Sequence, residues 1–257
     1  MIINADASQV YADLRIISAR PSEADEADVA HRLYGVVDGA MAWSAADWAA
    51  QAKAVIAEVH AARQLPILVG GTGLYLRTLL DGIAPVPSID PDIRASVRNL
   101  AAAELQSALA REDPSMAARL NPADRQRLCR ALEVIRSTGR SLAEWQSRLE
   151  GGIAEQVSLR PAVITVDRET LYQRCNQRFD AMIIAGALSE VAQLGIRNLS
   201  PALPVMKALG VPQLLSVVRG ETDLAVAVEE AKVATRQYAK RQTTWFRNQT
   251  LDWPTIS

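Results

Sequence analysis

Two side chains stand where they could act together on a small substrate. Asp6 ends the aliphatic run that opens the chain, and Thr72 sits within Gly70-Gly71-Thr72-Gly73. A carboxylate at the C-terminal end of a strand can accept a proton. A hydroxyl in a glycine turn that leads into a helix lies beside free backbone N–H groups and can meet an anion. Ligands of open α/β sheets bind at the C-terminal strand ends, so Asp6 and Thr72 could face one crevice. Each residue also has a plainer reading. Asp6 could cap a helix over residues 7–11, and a lone G-G-x-G could be an ordinary tight βα turn.

Basic residues gather in two places. Residues 119–140 hold Arg119, Arg125, Arg127, Arg130, Arg136 and Arg140 against only Asp124 and Glu133. That local excess suits a phosphate-binding face, or else a solvated helix surface with internal ion pairs. Further on, Lys232, Arg236 and Lys240 recur at fourfold spacing, with Arg241 and Arg247 nearby and Tyr238, Trp245 and Phe246 interleaved. Cations with aromatics on one helix suit phosphate or nucleotide contact.

The elements that must position these groups read as alternating strand and helix. Residues 1–6 open as a buried strand. Residues 12–42 show little apolar periodicity and read as loop with short helical turns, in which His31 is a structural candidate. Ser44 to Gln64 reads as a helix with a capping-box start at Ser44 and Asp47 and a buried stripe of Trp48, Ala52, Val55, Ile56 and Val59. It feeds a strand over Ile67, Leu68 and Val69 that reads as buried on both faces, completing a βαβ crossover. Leu74 to Leu80 reads as an apolar helix. After the proline-rich stretch 85–88, Asp90-Pro91 starts an almost wholly helical segment, with restarts at Asp113-Pro114 and Asn121-Pro122 and a stop at Gly139. Residues 161–167 read as a buried strand that returns to the sheet, Arg168 to Ala185 as a helix and Glu221 to about Asn248 as a long one. The expected divisions are residues 1–88, 89–152 and 153–257.

At 257 residues, with 49% apolar and 22% charged side chains, the chain can bury a sizeable core and is not a disordered sequence. The formal net charge of −1 leaves nucleic-acid binding to local clusters. Two cysteines, Cys129 and Cys175, and two distant histidines have no metal-ligand spacing, which argues against zinc and for a reducing cytoplasm. No apolar run is long enough to cross a membrane.

Six motifs in order resemble one family: residues 6–11 (DASQVY), 19–21 (ARP), 31–33 (HRL), 69–75 (VGGTGLY), 126–134 (QRLCRALEV) and 234–242 (ATRQYAKRQ). They resemble the bacterial tRNA dimethylallyltransferases, also called tRNA isopentenyltransferases, over essentially the whole chain. The resemblance implies an α/β fold with a P-loop kinase-like parallel sheet and an all-helical insertion that grips the anticodon stem-loop. It implies transfer of a dimethylallyl group from dimethylallyl diphosphate to the exocyclic amine of the adenosine 3′ of the anticodon, with Mg²⁺. It further implies Asp6 as general base and Thr72 at the reacting centre. Asp6, Ala7, Ser8, Gln9, Thr72, Arg94, Gln126, Arg127, Leu128, Cys129 and Arg130 would contact tRNA. So would Lys207, Ala208, Leu209, Gly210, Val211 and Pro212, where other members often carry Arg at the first of these positions. Arg236, Lys240 and Arg241 are candidates for diphosphate or tRNA phosphate. The resemblance leans toward a cytoplasmic monomer.

One departure bears on activity. The family carries a first strand and a G-x-x-x-x-G-K-[ST] loop ahead of the Asp motif, and this sequence contains neither. Gly70-Gly71-Thr72-Gly73 lacks the lysine that such a loop uses. The expectation is a core without its first strand and P-loop, a misplaced start or truncated gene, and weak catalysis by the chain as given. Two rival readings stay open: a non-catalytic tRNA-binding remnant that has lost diphosphate binding, and a relative of P-loop nucleotide kinases.

Overall fold

The computed structural model describes residues 1–256. The chain forms two compact units, residues 1–79 with 158–257 and residues 80–157.

In the first unit, strand β1 (Ile2–Asn4) is central in a three-stranded parallel sheet. Helix α1 (Glu23–Asp28) starts from a capping box on Ser22, and strand β2 (His31–Arg32) follows. Helix α2 (Ala45–Ala61) is capped reciprocally by Ser44 and Asp47 and buries Trp48, Ala49, Ala52, Val55, Ile56 and Val59. It leads to strand β3 (Ile67–Val69), which pairs with β1 as the crossover pattern required. The sheet order is β2-β1-β3, so the segment read as loop supplies an edge strand. Two residues are too few to show a period of two, which is why β2 left no pattern.

β3 is not buried on both faces. Ile67 and Val69, two residues apart and so on one face of the strand, are 47% and 48% exposed, which leaves that face uncovered at the sheet's edge. Asp6 caps no helix either. The chain turns through residues 7–13 without helical bonding, and the Asp6 carboxylate accepts the Ser8 amide at 2.8 Å.

Helix α3 (Gly73–Leu80) leaves the glycine turn, and strand β4 (Gly82–Ile83) opens the helical unit. There follow α4 (Pro91–Asn99), α5 (Ala102–Glu112), α6 (Pro114–Arg119), α7 (Arg125–Thr138) and α8 (Leu142–Gln146). Asp90 and Asp113 cap α4 and α6, and Gly139 ends α7 at φ 69°, in the left-handed region. The expected start at Asn121-Pro122 is a turn instead; α7 takes Asp124 as its cap. Leu105, Leu109, Leu132 and Val134 are fully buried at the centre of this unit. Strand β5 (Glu150–Gly151) pairs antiparallel with β4, and the helical unit begins at residue 80, ahead of the proline-rich stretch.

Returning to the first unit, β6 (Val163–Ile164) does not rejoin the sheet. It pairs with β7 (Thr255–Ile256), and Ile164 is 80% exposed. Helices α9 (Arg168–Ile184), α10 (Ala187–Ile196), α11 (Val211–Val218) and α12 (Leu224–Gln249) complete the unit. Among the described residues no single helix is long and apolar enough to cross a membrane. Helices α9 and α10 reach that length and apolarity only when taken together, and they bend by 66° at their junction.

Candidate functional site at the end of the parallel sheet

The backbone that follows β1 is held by its neighbours. The Ala5 amide donates to the Val69 carbonyl at 2.8 Å, and the Thr72 amide donates to the Ala5 carbonyl at 3.1 Å. The Thr72 hydroxyl oxygen accepts the Ala7 amide at 2.9 Å. Asp6 and Thr72 therefore lie at the same end of adjacent strands, as the crossover required. Thr72 acts there as a clasp on the Asp6 loop.

Beside this loop is a cleft of about 270 Å³. Asp6, Ser8 and Gln9 line it, with Ile17 and Ser18, Gly71, and the turn residues Ala208 and Leu209. Cys175, Arg178, Phe179 and Met182 come from α9, and Thr235, Tyr238, Ala239 and Gln242 from α12. Its lining mixes apolar side chains (Ile17, Phe179, Met182, Leu209) with polar ones (Asp6, Gln9, Arg178, Gln242), which suits a ligand with a hydrocarbon part and a hydrogen-bonding part. Burial pushes the Asp6 carboxyl above its ordinary value. Amide bonds from Ser8 and Gln9 and the charge of Arg178 oppose that rise without cancelling it. Among the described residues, Asp6 is the one carboxylate lining the cleft and Arg178 the one cation.

The cleft wall is fixed from outside. Glu190 of α10 accepts the successive amides of Arg15, Ile16 and Ile17 at 2.7, 2.8 and 2.9 Å. The Gln9 carboxamide donates to the Ser18 and Ala19 carbonyls at 3.1 and 2.8 Å, so Gln9 holds this loop as well as facing the cleft.

The glycine turn is a packing socket more than an open anion cradle. A Cβ on Gly70 would strike the Ala5 backbone, and one on Gly71 would strike the Gln242 carboxamide. A Cβ on Gly73 would strike the Trp245 ring. Gln242 donates to the Gly71 carbonyl at 3.0 Å, so α12 is latched over the turn.

The other expected residues divide. Lys207 is exposed at the end of a short 3-10 turn, Gly210 precedes α11 at φ 86°, Val211 is buried and Pro212 occupies its first turn. Arg236, Lys240 and Arg241 do not line the cleft. Arg236 donates to Asn176 at 2.5 Å, and Arg241 lies over the Tyr238 ring at 5.7 Å. The cleft's cation is Arg178, which sequence reading missed because α9 carries scattered charges with no cluster around it.

In the helical unit, Arg94, Gln126 and Arg127 are exposed, whereas Leu128 and Cys129 turn their side chains into the core. Side-chain contact from that segment falls to Gln126, Arg127 and Arg130. Arg130 is half-buried; desolvation lowers its pKa, the charge of Glu133 opposes that, and Arg94 adds to the lowering. Much of the arginine cluster, Arg127 included, is engaged internally. Arg127 pairs with Asp124, Arg136 with Glu112 and Arg140 with Glu144, while Arg125 caps the Arg98 and Leu100 carbonyls. Glu112 and Glu144 lie outside residues 119–140. A hollow of about 400 Å³ on this unit is mostly apolar, and its one charged residue is that same Arg125.

Magnesium needs oxygen ligands. Asp6 offers one carboxylate, already hydrogen-bonded by Ser8, and no three His, Cys, Asp or Glu side chains converge among the described residues. These side chains do not by themselves form a magnesium site.

The chain matches the family model "IPP transferase" over residues 9–249. It is 57% identical over 254 residues to a tRNA dimethylallyltransferase of Sphingopyxis alaskensis, covering 98% of this chain and 83% of the relative. A tRNA dimethylallyltransferase of Erythrobacter litoralis is 53% identical over 257 residues, covering 100% and 81%. The crystal structure of a full-length tRNA isopentenylpyrophosphate transferase from Bacillus halodurans superposes with TM-score 0.70 at 30% identity, covering 99% of this chain and 80% of that one. A eukaryotic dimethylallyltransferase captured acting on tRNA superposes with TM-score 0.78 at 26% identity, covering 95% and 63%. The chain belongs to the IPP transferase family, beside the bacterial tRNA dimethylallyltransferases.

Proposed function

We propose that this protein transfers a dimethylallyl group from dimethylallyl diphosphate to the exocyclic amine of the adenosine 3′ of the anticodon in tRNA. The observation that carries this reading is the cleft in which a half-buried carboxylate, Asp6, faces a mixed polar and apolar wall. The amine nitrogen attacks the allylic carbon as the carbon–oxygen bond to diphosphate breaks. The amine becomes acidic as it gains that bond, and Asp6 takes its proton. A carboxyl raised above its usual range is better matched to that transfer at neutral pH than an ordinary aspartate. The adenine must be splayed out of the anticodon loop to reach it.

On this reading Arg178 stabilises the departing diphosphate, with Arg236, Lys240 and Arg241 contributing at longer range. Mg²⁺, expected from the resemblance, would supply neutralising charge to the diphosphate, and the side chains of the cleft do not hold it by themselves. Ala7, Ser8, Gln9 and the turn Lys207–Pro212 guide the nucleotide, and Arg94, Gln126, Arg127 and Arg130 hold the stem-loop. The chain acts as a monomer.

The test is transfer from radiolabelled dimethylallyl diphosphate to an anticodon stem-loop, with Asp6→Asn alongside. Transfer that falls by about 10²-fold or more in the variant supports the reading. Equal transfer by the two proteins removes Asp6 as the base. Salt-sensitive stem-loop binding without any transfer identifies a tRNA-binding protein without this chemistry.

A further inference from the structure

Asn4 is wholly buried at the end of β1, and its carboxamide makes three hydrogen bonds, two of them to Asp6. Its oxygen accepts the Asp6 amide at 2.8 Å, and its nitrogen donates to the Asp6 carbonyl at 3.0 Å. The second hydrogen on that nitrogen goes to the Leu33 carbonyl at 3.0 Å, past the end of β2. The Asn4 carbonyl in turn accepts the Trp48 indole N–H at 2.8 Å, and Trp48 stacks on Tyr75 with ring centres 4.6 Å apart.

We propose that Asn4 is a positioning residue for Asp6: one buried carboxamide brackets both backbone polar groups of the residue that takes the proton, fixing where its carboxylate points. The inference rests on the reading of Asp6 as base. With the Ala5 bonds, the Thr72 clasp on Ala7 and the Ser8 bond to the carboxylate, the amides of Ala5 to Ser8 and the carbonyls of Ala5 and Asp6 all have partners. A base held this way needs no reorganisation when substrate arrives, and a displacement of about 1 Å is enough to lose about 10²-fold in rate. A buried asparagine that only closed the sheet would need its bond to Leu33 and neither bond to Asp6.

The experiment compares the wild-type chain with Asn4→Ala and Asn4→Ser. Three readouts are taken: single-turnover transfer, affinity for an anticodon stem-loop, and the titration of the Asp6 carboxyl by ¹³C NMR, assigned with Asp6→Asn. Asn4→Ala is expected to slow transfer by about 10²-fold with stem-loop affinity within about twofold of wild type. Its Asp6 titration should move to lower pH as the loop turns toward water. Serine can still accept an i+2 amide, more weakly, so Asn4→Ser should fall between the two. If Asn4→Ala does not fold, Asn4→Ser decides by the same readouts. A folded variant with an unmoved Asp6 titration overturns the proposal whether or not the chain turns over. Undiminished transfer by Asp6→Asn overturns the base assignment instead, which keeps the two failures apart.

Discussion

The Thr72 hydroxyl oxygen lies 2.9 Å from the Ala7 amide nitrogen, and that bond ties the turn after β3 to the loop that carries Asp6. Thr72→Val keeps the shape and removes the acceptor. The variant should lose about 1–3 kcal/mol in urea unfolding. It should also lower the rate of transfer more than the affinity for either substrate. Thr72→Ser should recover most of both, because the hydroxyl is the part that acts.

The raised Asp6 pKa has a consequence for stability with a definite sign. A carboxyl whose folded pKa exceeds its unfolded one favours the folded state below the unfolded value, and that contribution is lost as pH rises through the folded value. Asp6→Asn should therefore melt higher than wild type at pH 7. The gap should close on acidification toward the ordinary aspartate range. Thermal melts at several pH values check this, and a gap that widens in acid would contradict it.

Arg178 lowers the Asp6 pKa and stands in the cleft without an ion pair among the described residues. Arg178→Gln should push Asp6 higher and shift the acid limb of the pH–rate profile to higher pH. It should also raise KM for dimethylallyl diphosphate, by about tenfold for one lost charge-assisted contact. Arg236→Gln, whose parent already bonds Asn176, should change KM less. Initial rates across pH for the two variants separate these roles.

Neighbouring glycines should respond very differently to alanine. At Gly70 the added carbon meets the Ala5 main chain, which cannot move without breaking the β1–β3 pairing. At Gly71 it meets the far end of Gln242, which can swing away at the loss of one hydrogen bond. Gly71→Ala should cost about 1 kcal/mol. Gly70→Ala should cost several times that or prevent folding. Denaturant midpoints measured side by side decide it.

Local signals were legible and distant ones were not. The capping box at Ser44 and Asp47, the apolar stripe of α2, the caps at Asp90 and Asp113 and the stop at Gly139 each lie within one turn of the helix they govern. The pairing of Asp6 with Thr72 followed from the crossover rule. Partners that depend on tertiary approach were hidden. Glu112 of α5 quenches Arg136 of α7, and β6 finds β7 where a return to the sheet was expected. Arg178 reaches the cleft from a helix with no marked periodicity of charge. Asn4 was overlooked because a polar residue inside a short aliphatic run gives no hint of which backbone it serves.

The pairing of Gly82–Ile83 with Glu150–Gly151 brings together the two points where the chain enters and leaves the helical unit. A module whose inlet and outlet are fastened side by side adds little loop-closure entropy for the chain that hosts it, whatever its own length. Gene segments coding for such a module can be lengthened, trimmed or exchanged between relatives while the flanking sequence stays in register. The two-rung clasp is thus the natural seam for building chimaeras of this enzyme family.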